Sequence, residues 1–175
     1  MFFDYSVWWF VSLLVGLISD THDNISAINE AVKVFNGKGV RLVLHAGDYN
    51  SPFTAKLFKK LNCNLIGVFG NIDGEREMLQ SRYSKINAEI RGNFAEVEAG
   101  GLKIALLHGI HEPIINALAK CGEYGVVVHG HTHVQRNQKV RETLVVNPGE
   151  ACGYLTGKKT VAILDTMLKV EFIEF

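Results

Sequence analysis

The sequence predicts an α/β protein: two β-sheets packed together with helices outside. Three observations point there. Short apolar runs alternate with helical-period segments through the first half of the chain. The second half turns to consecutive strands joined by glycine-rich turns. Five of the apolar runs end in a polar residue of metal-ligand type, so their ends share a chemistry that the runs themselves lack. At 175 residues the chain fits one domain, long enough to bury roughly 70% of its unfolded surface.

Each element has its own signal. Leu13 to Ser19 is an unbroken apolar run of strand length, and Asp20-Thr21-His22 follows it. If the backbone stays extended, Asp20 and His22, two apart, point to the same side. Asn24 is placed to cap a helix in which Ile25, Ile28, Ala31, Val32 and Phe35 recur on one face, with Asn36-Gly37 as its stop. Arg41 to Ala46 is a second strand ending at Gly47-Asp48. Pro52 introduces a helix over Thr54 to Leu61. Asn64 to Phe69 is a third strand ending at Gly70-Asn71, and a helix follows from Gly74 to Tyr83. This order gives β-α-β units and a parallel sheet. Phe94 to Glu98 and Leu102 to Leu107 flank Ala99-Gly100-Gly101, a hairpin turn. Pro113 opens a helix that Gly122 closes. Val126 to His129 runs into Gly130-His131-Thr132-His133, Leu144 to Val146 stops at Asn147-Pro148-Gly149, and Val161 to Leu164 and Lys169 to Ile173 are terminal strands.

Composition excludes several classes. Lys and Arg number 18, as do Asp and Glu, so there is no basic stripe for long nucleic acid. Cys63, Cys121 and Cys152 are widely spaced, odd in number and form no C-x-x-C pair; they read as buried apolar thiols in a reducing cytoplasm. Residues 1–12 form a hydrophobic extension ahead of a domain over 13–175. Phe2, Phe3, Tyr5, Trp8, Trp9 and Phe10 crowd it. The apolar run is too short and too interrupted for a membrane span and lacks the basic flank of a signal peptide. It reads either as an over-called translation start or as an arm for association into a homo-oligomer.

The chemistry lies in seven side chains: Asp20, His22, Asp48, Asn71, His108, His131 and His133. Sites of open α/β sheets form beyond the carboxyl ends of strands, which can gather these residues although the chain scatters them. The donors are nitrogen and oxygen without cysteine, a set that suits Mn, Fe, Ni, Co or Zn in a catalytic centre. Seven are too many for one catalytic ion and suit two. Asp48 is the natural bridge, with Asp20, His22 and His133 on one ion and Asn71, His108 and His131 on the other. Two divalent ions bring four positive charges, and the two aspartates remove two. The remainder can stabilise a bridging hydroxide and an anionic phosphate.

Asp20-x-His22, Gly47-Asp48, Gly70-Asn71, His108-Gly109 and Gly130-His131-x-His133 occur in the order and spacing of the metallophosphoesterase (calcineurin-like) superfamily, which the chain resembles over about residues 13 to 175. The short length and Asn147-Pro148-Gly149 resemble its small bacterial and archaeal phosphodiesterase branch. The resemblance implies a four-layer α/β/β/α sandwich of two mixed β-sheets flanked by helices. It implies hydrolysis of phosphate diesters by attack of a metal-bridging hydroxide, with Mn or Ni as the usual ions. Asp48, Asn71 and His108 are then the catalytic residues, acting through the hydroxide and phosphate contact.

Two positions depart from many relatives. Ile72 stands where they place a histidine after the asparagine, and Ile110 where they place one after His108-Gly109. Isoleucine donates no proton, and general acid help is typically worth about 10²–10⁴-fold, so the enzyme is expected to favour good leaving groups. The other readings are a phosphomonoesterase, and a protein-binding scaffold on the same fold, like the retromer scaffold subunit. Among the remaining polar residues, His45 should face away from Asp48, and His129 shares the parity of His131 and would lie just behind the site. Asp23 serves helix start or function equally, and so does Asp73. Glu75-Arg76-Glu77 reads as a solvated face. Arg136 and Arg141 have nothing to single them out.

Overall fold

The computed structural model describes residues 12–175. The aromatic extension, with the self-association assigned to it, lies outside the described residues. Strand β1 (Leu14–Ile18) lies at the centre of a six-stranded sheet, and its side chains alternate between two environments. Val15 and Leu17 face the second sheet, while Ile18 faces the helices. β1, β2 (Leu42–His45), β3 (Asn64–Gly67) and β4 (Ala88–Ile90) run parallel, as the β-α-β order predicts. β10 (Thr160–Asp165) and β11 (Lys169–Glu174) add antiparallel to the other side of β1.

The second sheet orders β5 (Phe94–Ala99), β6 (Leu102–Leu107), β7 (Val126–Val128), β9 (Thr143–Asn147) and β8 (Arg136–Val140), and it too is mixed. β5 and β6 pair antiparallel up to Ala99 opposite Leu102, the hairpin read from Gly100-Gly101. β6, β7 and β9 are parallel.

Three apolar interfaces stack these layers. α1 (Ile25–Lys38), α2 (Ala55–Phe58) and α3 (Arg76–Tyr83) cover the outer face of the first sheet, where Ile28, Phe35, Phe58 and Tyr83 pack on Ile18, Val43 and Leu65. Leu44, Val68, Ile104, Leu106 and Val128 join the two sheets. α4 (Glu112–Lys120) lays Ile115 and Ala119 on Ala105, Val127 and Val145. The result is the α/β/β/α sandwich. Phe35 is fully buried, so truncating it to alanine would cost about 3–5 kcal/mol.

Boundaries differ in four places. Asn24 caps α1 as expected, its side chain accepting from the Ala27 N–H at 3.1 Å. The helix nevertheless continues through Asn36 and Gly37 to close at Gly39, because Phe35 still buries a face there. The segment after Pro52 is a 3-10 turn (Pro52–Thr54) followed by only four helical residues, shorter than the expected Thr54 to Leu61. β4 and β8 were not expected. β4 has three residues, and β8 reads Arg-Asn-Gln-Lys-Val, a polar edge strand with no apolar alternation. The thiols differ too: Cys152 is buried, but Cys63 is half-buried and Cys121 exposed.

Candidate metal centre

The loops that leave β1, β2, β3, β6 and β7 meet at one rim of the sandwich, and all seven predicted donors lie there. Backbone hydrogen bonds lock the first two loops together: Asp20 N–H to Gly47 O at 3.0 Å, and Thr21 and His22 N–H to Asp48 O at 3.0 and 3.1 Å. The backbone that aims these side chains is not extended. Asp20, His22, Asp48, His131 and His133 have φ of 53°, 41°, 61°, 69° and 61°. The expectation that Asp20 and His22 converge through strand parity is therefore corrected: they converge through left-handed turns. Such turns cost of order 1–3 kcal/mol each in non-glycine residues and persist where surrounding structure imposes them.

Two glycines make the close approach of loops feasible. A Cβ on Gly70 would stand 1.9 Å from Asp48 Oδ1, and one on Gly130 would stand 1.8 Å from Ser19 Oγ and 2.8 Å from Asp20 Oδ2. The glycines in Gly70-Asn71 and Gly130-His131 are thus packing requirements of the cluster itself.

The donors form two halves around Asp48. In one, Asp20 Oδ1 lies 3.4 Å from His133 Nε2 and 3.9 Å from His22 Nε2. In the other, Asn71 Oδ1 lies 2.8 Å from His108 Nε2 and 2.9 Å from His131 Nδ1. Asp48 Oδ2 reaches both, 3.8 Å from His22 Nε2 and 3.3 Å from His108 Nε2. Outer partners orient the rings. His108 Nδ1–H donates to Ala46 O at 2.7 Å, and His133 Nδ1–H to Glu150 at 2.8 Å, which turns each Nε2 inward.

The electrostatics call for cations. Asp20 Oδ1 and His22 Nε2 are buried polar atoms with no hydrogen-bond partner. Burial raises the Asp20 pKa, the response of a carboxylate held away from water. Burial acts the same way on Asp48, but hydrogen bonding and charge from His108, with the Ile72 N–H, hold it below the usual range. Burial opposes charge on His108, yet Asp48 lifts it above the ordinary imidazole value. Orphaned acceptors beside paired acids are the arrangement that divalent ions satisfy, so the residues present fit them.

Three residues that the sequence did not assign support this cluster. Asp73, evenly weighed before, accepts the N–H groups of Asp48, Tyr49, Asn50 and Gly70 at 3.1, 2.8, 2.9 and 2.7 Å; it shapes both the Asp48 and the Asn71 loops. Asp23 accepts from the Ser51 N–H and hydroxyl, tying the first loop to the second. Glu150, fully buried, receives His133, the Cys152 thiol, the N–H groups of Tyr154, Leu155 and Thr156, and the Thr156 hydroxyl. Burial works against its charge, but these bonds hold it at about 2. Cys152 lies within 4.8 Å of nitrogen donors of His22 and His133, although the sequence put no cysteine at the site. Burial pushes its thiol up to about 12, and it spends its proton on Glu150.

The other histidines stay out of the cluster. His45 accepts from Gly47 N–H, meets Thr21 Oγ1 at 3.3 Å and stacks on Tyr49. His129 donates to Gly130 O, and burial lowers it to about 4. Arg136 pairs with Glu112 at 3.0 Å, and Arg141 donates to Lys120 O. Glu75, Arg76 and Glu77 are exposed, as read from the sequence, and Arg76 in addition donates to Asp73 O and Gly70 O and lies over the Phe69 ring.

Comparison with known proteins places this rim in context. The model of the calcineurin-like phosphoesterase superfamily domain matches residues 13–169. A phosphodiesterase of Methanocaldococcus jannaschii is 45% identical over 156 residues, 89% of this chain and 94% of that protein. A solved structure of an archaeal phosphodiesterase superposes with a TM-score of 0.90 at 42% identity, covering 93% of this chain and all of that one. Vps29 of Entamoeba histolytica, solved with zinc, shares the fold with a TM-score of 0.62 at 17% identity, over 93% of this chain and 99% of that one. With its strand ends, its donor set and its architecture all of one pattern, this chain belongs to the calcineurin-like phosphoesterase superfamily, whose members work with divalent metal ions.

Proposed function

We propose that this chain is a phosphodiesterase that holds two divalent ions through Asp20, His22, Asp48, Asn71, His108, His131 and His133. The observation that carries the reading is the convergence of these donors around Asp48, with Asp20 Oδ1 and His22 Nε2 buried and unpartnered. When bound, the ions supply charge for the phosphoryl oxygens and lower the pKa of a water from about 15.7 towards 7. The chain does the positioning. Asp48 belongs to both halves, Asn71 and His108 face the phosphate side, and Glu150 fixes the tautomer of His133. Ile72, 41% exposed, offers the leaving group no proton, so good leaving groups depart fastest. The nitrogen–oxygen set suits Mn, Fe, Co, Ni and Zn alike, and the family resemblance favours Mn or Ni among them. The free thiols, one of them exposed, support a reducing cytoplasm as its place of work. Among the described residues no helix is long and apolar enough to cross a membrane.

The test is hydrolysis of bis-4-nitrophenyl phosphate by protein loaded with Mn or Ni. Asp48→Ala and Asn71→Ala should each abolish turnover while the fold is kept. Either variant working at the native rate refutes the assignment.

A further inference from the structure

Beside the donor cluster a cleft of about 370 Å³ opens between the loop after β3 and the start of α4. Gly70 and His108 belong to both, so the cleft continues directly from the place where phosphate would sit. Phe69, Ile110 and Ile114 give it apolar walls. The two isoleucines are 49% and 50% exposed. Ile114 lies off the buried face of α4, which Ile115 and Ala119 occupy. Phe69 belongs to the core, but the packing of the fold makes little use of the two isoleucines, which leave apolar area in water. Arg76 forms the rim. It donates to Asp73 O at 3.1 Å and Gly70 O at 3.4 Å, lies 5.0 Å over the Phe69 ring, and pairs with no carboxylate among the described residues. A fixed, unneutralised guanidinium next to an apolar wall complements a group that is anionic at one end and apolar at the other.

We propose that this cleft is the subsite for the non-reacting ester arm of the phosphate diester, and that it selects arms bearing a flat apolar group such as an aryl ring. The inference rests on the diesterase reading. The volume lies near the lower end of the roughly 300–1,000 Å³ of small-molecule sites, which suits one ring-sized arm. Ile110 and Ile114 set the selectivity by contact with that arm, and Arg76 holds the anionic side.

4-Nitrophenyl phenyl phosphate and 4-nitrophenyl methyl phosphate share a leaving group and differ only in this arm, so they isolate it. With Mn-loaded protein, and each kcat/KM divided by the uncatalysed rate, the phenyl diester should be preferred by about 10-fold or more. Ile110→Ser combined with Ile114→Ser should bring the ratio to within about threefold of one, and the single variants should each lower it in part, should the double variant fold poorly. Met167→Ser, at an exposed position in the β10–β11 turn, should keep the native ratio. A native ratio near one, or isoleucine variants that slow both diesters alike, overturns the subsite and leaves the diesterase standing. Native protein that hydrolyses neither diester overturns both.

Discussion

Glu150→Gln tests how the centre is held in place. In the native chain this carboxylate is fully buried and accepts from six donors, including His133 Nδ1 at 2.8 Å and Thr156 Oγ1 at 2.7 Å. Glutamine removes the charge and points an amide N–H₂ at groups that are themselves donors. Breaking a buried charged network of this kind costs about 3–5 kcal/mol, read by urea denaturation at neutral pH. The pH dependence gives a second measure. The carboxyl falls from its ordinary 4.5 to about 2 in the folded chain. A depressed acid contributes stability that is fully present above its unfolded value and lost as pH falls through its folded one. At 1.36 kcal/mol per pH unit the contribution is about 3 kcal/mol, present above pH 4.5 and lost towards pH 2. The stability gap between native and variant should therefore narrow by about that amount as the medium is acidified across this window. Metal affinity should drop about 10–100-fold, since His133 loses the partner that orients it. A variant with native stability, or a gap that stays constant from pH 5 to pH 2, would refute this account of Glu150.

Two further variants probe the loops. Asp73→Asn removes the charge and turns one of the two acceptor oxygens, each of which takes two backbone N–H groups, into an amide N–H₂; it should destabilise the chain by about 2–3 kcal/mol in urea denaturation and weaken metal binding by calorimetry, and native values on both would contradict its role. Gly70→Ala places a Cβ 1.9 Å from Asp48 Oδ1 and 2.4 Å from the Asp48 nitrogen, backbone that cannot step aside; a loss of about 3 kcal/mol with loss of bound metal is expected, and a variant that binds metal as the native chain does would show that the loops have slack.

The donor set was readable because strand ends punctuate the chain. An apolar run that stops at a carboxylate or imidazole is visible residue by residue, and the order of five such stops is specific. The partners of those donors were not readable. Glu150 lies 17 residues from His133 in a segment without periodicity, and three of its six donors are backbone N–H groups, which carry no residue code. Asp73 was visible as a residue and undecided as a role, because capping α3 and gathering the Asp48 loop call for the same carboxylate. β8 escaped because an exposed edge strand need not alternate, and α2 was over-extended because Thr54 to Leu61 is apolar enough for a helix while only four of its residues close one.

By itself, then, the chain determined which residues are buried in strands, in what order the strands come, and which polar groups close them. Those are local facts, since strand and helix differ in period and a polar residue at the end of an apolar run shows in one dimension. Only the tertiary structure decided how the donors are aimed. Left-handed turns at Asp20, His22, Asp48, His131 and His133 are imposed by loops zipped to one another across long sequence separations. No single segment prefers that backbone; it exists because the packed sandwich brings five loop ends to one rim.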